Sequence, residues 1–114
     1  RVKKMLHQDL TKEHWQKLSF PEQMANVGAE VGRALNWRGK DEPRSKSSIE
    51  RGLELLDLSI EDEKNHGSRL KELCRLKECL GDYFFAGNKY GSTEKNWNDY
   101  FHAFNFLMAL KKGR

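Results

Sequence analysis

The residues of this chain that could do chemistry are few and scattered. Glu63 and His66 stand three apart, as do Asp99 and His102. Carboxylate–imidazole pairs at that spacing build di-metal centres when two of them meet further glutamates from neighbouring helices. Glu63 and His66, however, fall at a charged helix end beside Gly67, where an inward-facing site is hard to build. His7 and His14, seven apart, could share a helix face but bring no third ligand. Cys74 and Cys79 are five apart. On a helix that separates them by about 140° around the axis, too far for a disulfide within it. A zinc site would want closer pairs and more ligands. They read as two reduced, partly buried thiols. The serines read as caps or loop residues rather than nucleophiles, and no GxGxxG or phosphate-loop pattern occurs. The expectation is therefore no metal, no cofactor and no catalytic residue.

Helices must position whatever function there is, because no segment alternates as a strand does. A short first helix is expected over Lys12 to Leu18, with an extension back through Met5 and Leu6. Ser19-Phe20-Pro21-Glu22 reads as a capping box with proline in the first turn. The second helix should then run from Phe20 to Trp37, carrying Met24, Val27, Val31, Ala34 and Leu35 at helical spacing. Gly39 to Ser48 reads as a mobile loop, with Ser47 and Glu50 forming a second capping box. A third helix follows with Ile49, Leu53, Leu56 and Ile60 inward, broadened by Leu55 and Leu58. Gly67 suits a left-handed cap. The fourth helix starts near Ser68 with a wide stripe, Leu70, Leu73, Cys74, Leu76, Leu80, Tyr83 and Phe84. Its outer face should pair Arg75 with Glu72 and with Glu78. Ala86 to Ser92 is a turn with three residues that tolerate positive φ, and Ser92 or Thr93 caps a fifth helix carrying Trp97, Tyr100, Phe101, Phe104, Leu107 and Met108. The fold class is an all-α, up-and-down bundle of four main helices plus a short N-terminal one, in a single domain over residues 1–114.

The 114 residues carry 37% hydrophobic and 33% charged side chains and a formal charge of +4. No apolar run approaches the ~20 residues that span a bilayer, and no signal-peptide core follows the basic start. A cytoplasmic, prokaryotic-looking protein is expected. The basic charge collects at the ends. Lys3, Lys4 and Lys12 lie near the start, and Lys111, Lys112 and Arg114 near the finish. Converging on one face, they would form a nucleic-acid site. Glu50, Glu54, Asp57 and Glu61 share one stripe of the third helix, and their mild repulsion would be relieved by a basic partner or by the chain's own basic ends. Gly28 and Gly32 sit one turn apart on the second helix. Interior glycine costs about 1 kcal/mol against alanine, so a close approach is expected there, from another helix or from a second copy. Nine of the twelve aromatics lie between Tyr83 and Phe106. Adjacent Phe84 and Phe85 differ in direction by about 100°, which makes Phe85, with Tyr90, a candidate for exposure and partner contact.

Three stretches carry a resemblance: Glu22-Gln23-Met24-Ala25-Asn26-Val27-Gly28, Arg51-Gly52-Leu53-Glu54-Leu55-Leu56-Asp57-Leu58, and Asp82-Tyr83-Phe84-Phe85-Ala86-Gly87-Asn88-Lys89-Tyr90-Gly91-Ser92-Thr93. With them the chain resembles a group of small prokaryotic helical proteins. The resemblance covers most of the chain and implies a helical fold without an activity. A second similarity, of architecture, is to HEPN-type ribonucleases, small bundles with an Arg-x4–6-His motif on an inner helix. Arg1 and His7 have that spacing but lie at the N-terminus rather than on a late helix.

Together these features predict a non-enzymatic bundle that works by binding a protein, or itself as a homodimer. Its contacts would lie at Phe85 and Tyr90, the Gly28–Gly32 face or the aromatic fifth helix. The alternative is a nucleic-acid-binding or HEPN-like RNA-cleaving domain.

Overall fold

The computed structural model describes residues 12–112, with side chains as far as Leu110. It holds five helices and, among the described residues, no strand: α1 (Lys12–Gln16), α2 (Phe20–Trp37), α3 (Glu42–Glu61), α4 (Ser68–Phe85) and α5 (Glu94–Lys112). None is long and apolar enough to cross a membrane.

The helix starts are set locally. Ser19 Oγ accepts from the Glu22 amide at 3.2 Å, and Glu22 Oε1 accepts from the Ser19 amide at 2.8 Å, the expected capping box. Thr93 and Asn96 trade the same pair of bonds at 3.0 Å to open α5. Between α4 and α5, Gly87, Asn88 and Gly91 all adopt positive φ, as the turn chemistry anticipated. Gly67 is left-handed too, at φ 64, and stands directly before α4.

The segment read as a loop over Gly39 to Ser48 is a loop only as far as Asp41. Asp41 accepts from the Arg44 amide at 3.2 Å and Pro43 sits in the first turn of α3, where its missing N–H is no loss. The serines that suggested a loop are instead partners inside the helix. Ser45 Oγ donates to the Ala34 carbonyl at 2.8 Å, and Ser47 Oγ accepts from Arg51 at 2.9 Å. The second capping box at Ser47 is therefore absent.

Ser45, early in α3, meets Ala34, late in α2, so the two helices run antiparallel. The closely packed pairs are α2 with α3, α2 with α5, α3 with α4, and α1 with α3. Antiparallel α4 and α5 close the ring more loosely, through Tyr83 against Trp97 and Tyr100 against Glu72. The centre holds Met24, Val27, Leu56, Leu73 and Leu80, none of them exposed at all. All five apolar positions expected on α2 are buried.

Polar groups are buried with partners, and these set the register. Gln23 donates to the Trp15 carbonyl at 3.1 Å and to Asp62 at 2.8 Å, and accepts from Asn65 at 2.9 Å. The Trp15 indole donates to Ser59 at 3.0 Å. Lys64 binds Asp62 and reaches the Gln16 carbonyl at 2.8 Å. One cluster thus ties α1, α2, α3 and the α3–α4 connection. Glu30, 7% exposed, lies between Arg33 at 3.0 Å and Arg51 at 3.5 Å and links α2 to α3.

Candidate interaction surface

α5 carries more apolar surface than one face can bury. Trp97 and Phe101 point into the core, with Tyr100, Phe104 and Met108 half-buried beside them. Phe20 and Phe104 meet edge to face at 5.8 Å, which pins α5 to the start of α2. The other side bears Ala103, Phe106, Leu107 and Leu110, all exposed, with Phe106 at 57%, Leu107 at 47% and Leu110 at 52%. Their spacing of three, one and three puts them on one stripe. Leu107 belongs to this outer stripe, because the buried arc of α5 is filled by Trp97, Phe101 and Phe104.

At Gly28, α5 lies tight against α2. A Cβ there would lie 2.7 Å from Phe101 Cδ1, so the notch is filled from within the chain. Gly32, one turn on, has nothing within 4 Å of such a Cβ and is open.

Phe85 and Tyr90 are both about half exposed. The Arg75 guanidinium lies over the Tyr90 ring at 5.1 Å, a cation–π contact. Arg75 therefore leaves the ion pairs expected with Glu72 and Glu78 unformed. Glu72 turns to α5 and accepts from the Tyr100 hydroxyl at 2.5 Å. Burial, and then this bond to a carboxylate, push the Tyr100 hydroxyl far above its ordinary pKa. The turn that presents Tyr90 is organised by Asp82, whose carboxylate accepts from the Lys89 amide at 2.7 Å and the Tyr90 amide at 3.0 Å. Its carbonyl accepts from Ala86 and Asn88.

A cleft of about 270 Å³ opens between α4 and α5, beside Tyr90. Leu76, Cys79, Trp97 and Tyr100 wall it, and exposed Glu72 and Arg75 stand at its rim. The wall holds one buried donor without an acceptor, Trp97 Nε1.

Of the basic candidates, Lys12 is described and stands 3.7 Å from Glu61. Asp57 is paired with Lys77 at 2.6 Å. The acidic stripe of α3 is thus relieved at two points by the chain's own lysines. Lys3, Lys4, Arg114 and the Arg1–His7 pair lie outside the described residues, as do the side chains of Lys111 and Lys112. Cys74 is exposed rather than part of the inner stripe, and Cys79 is partly buried; both are free thiols. Among the described residues no three His, Cys, Asp or Glu side chains come together as a metal set.

No family model, curated protein or solved structure matches this chain. The residues themselves carry the functional reading.

Sequence reasoning named Phe85, Tyr90 and the aromatic fifth helix as contact candidates but did not separate the outer stripe of α5 from its inner one. Its signal was present: Ala103, Phe106, Leu107 and Leu110 form a second apolar period on a helix that already had one. Asp82 and Glu30 gave no such signal, since a buried carboxylate reads like an exposed one along the chain.

Proposed function

We propose that this protein is a non-enzymatic interaction module that self-associates through the outer stripe of α5. The observation that carries this is that α5 is apolar on two sides while the bundle covers one. An exposed, contiguous apolar stripe of this kind marks an interaction surface. The stripe is also symmetric about its own centre: with α5 antiparallel to its copy, Ala103 faces Leu110 and Phe106 faces Leu107. A two-fold contact requires that self-complementarity.

Self-association through such a stripe depends on protein concentration, so a dimer that forms as the protein is concentrated is the expected result. Light scattering or sedimentation of the protein and of Leu107→Glu tests it. The protein should dimerise with concentration and the variant should stay monomeric with an unchanged helical spectrum. A protein that is monomeric at all accessible concentrations, or a variant that dimerises equally well, refutes the assignment.

A further inference from the structure

The α4–α5 cleft has a chemistry that self-association does not use. Its walls are the apolar faces of Leu76, Cys79, Trp97 and Tyr100, and its rim bears one carboxylate and one guanidinium. Glu72 and Arg75 stand three apart on α4, a spacing at which opposite charges ordinarily pair. Here each is held by an aromatic side chain instead: Glu72 by the Tyr100 hydroxyl at 2.5 Å, Arg75 by the Tyr90 ring at 5.1 Å. Two opposite charges therefore stand side by side over an apolar floor without neutralising each other. Neither makes an ion pair with any other described residue.

The geometry points to a binding site for a small zwitterion with an apolar body, an aliphatic or aromatic α-amino acid. Its carboxylate would meet the planar donor fork of Arg75. Its ammonium would meet Glu72, whose carboxylate keeps acceptor capacity beyond the single bond from Tyr100. Its side chain would enter between Leu76 and the Trp97 and Tyr100 rings. The size agrees. A cleft of about 270 Å³ falls just short of the range of roughly 300–1,000 Å³ typical of drug-sized ligands, so it suits a smaller molecule. Tyr100 serves both parts, with its ring in the wall and its hydroxyl orienting Glu72.

The test is calorimetric titration of the whole chain with L-phenylalanine and L-leucine. Phenylacetate serves as the probe lacking the ammonium, phenethylamine as the probe lacking the carboxylate, and glycine as the probe lacking the body. The amino acids should bind saturably. Each truncated probe should bind about tenfold more weakly or worse, since each loses a charge-assisted contact. Glu72→Gln, which keeps an acceptor for Tyr100, and Arg75→Gln should each weaken L-phenylalanine by a similar factor while the circular dichroism stays unchanged. Leu107→Glu should leave the titration as it is, which separates this site from the α5 contact. No saturation up to about 10 mM ligand, equal binding of phenylacetate or phenethylamine, no effect of Arg75→Gln, or loss of binding in Leu107→Glu would each overturn the assignment.

Discussion

Gly28 and Gly32 offer a test in which one substitution, made twice on one helix, should change sign. Both lie inside α2, where alanine gains about 1 kcal/mol over glycine from backbone entropy. At Gly32 the new methyl group meets nothing within 4 Å, so that gain is kept. At Gly28 it would lie 2.7, 2.8 and 2.9 Å from Cδ1, Cγ and Cβ of Phe101, closer than carbon atoms approach. Phe101 is only 5% exposed and is hemmed in by Tyr100, so it cannot swing away freely. Overpacking of that kind costs roughly 1–3 kcal/mol and would also prise α5 from α2. Gly28→Ala should therefore be neutral to about 2 kcal/mol less stable than the parent, and Gly32→Ala about 1 kcal/mol more stable. For a domain near 100 residues each kcal/mol moves the thermal midpoint by about 4–8 °C. The assay is urea and thermal unfolding followed by circular dichroism, with Gly28→Ala/Phe101→Leu as the relief variant. Equal stabilisation by both alanines would refute the close contact, as would a Phe101→Leu change that relieves nothing.

Three further expectations rest on single polar groups. Burial alone would raise the Asp62 carboxyl, but the hydrogen bonds from Lys64 and Gln23 outweigh it and hold it below the ordinary carboxylate value. A depressed folded pKa contributes stability that is present above the unfolded value of about 3.9 and lost as pH falls through the folded one. Unfolding curves at stepwise lower pH should show that loss, and Asp62→Asn should flatten it. Asp82→Ala removes the acceptor of the Lys89 and Tyr90 amides in the turn after α4; hydrogen exchange at those two amides should accelerate ahead of the amides within α4. The Tyr100 hydroxyl should stay protonated in alkali well above the ordinary tyrosine range, read by difference absorbance against Tyr100→Phe.

What was legible in the sequence was what local chemistry decides. Ser19 and Glu22, the Gly87–Asn88–Gly91 turn and the inner stripe of α2 all act within a few residues, and the chain order shows them. The start of α3 was misread because Pro43 and the serines after it suit a loop and a first helical turn equally well; Asp41 and the Ala34 carbonyl decide between them, and the carbonyl belongs to another helix. Gln23, Asp62 and Asn65 are a long-range cluster of common polar residues, invisible until the fold closes. Periodicity placed Leu107 on a helix but could not say which arc of α5 the bundle would cover. Phe85 was legible because Phe84 beside it could not share its direction.

The packing of α5 on α2 also orders the events of folding. Trp15, Gln23, Ser59 and Asn65 join segments at most about fifty residues apart, and α3 meets α4 across a short connection. Phe101 reaches Gly28 across 73 residues. Closing the longest loop carries the largest entropy cost, which favours assembly of α1 to α4 before α5 closes the bundle. The notch at Gly28 is then open on the incomplete bundle, shaped to receive the Phe101 ring. Undocking of α5 should accordingly be the lowest-energy opening of the native state, with its amides exchanging together and ahead of those in α2 and α3.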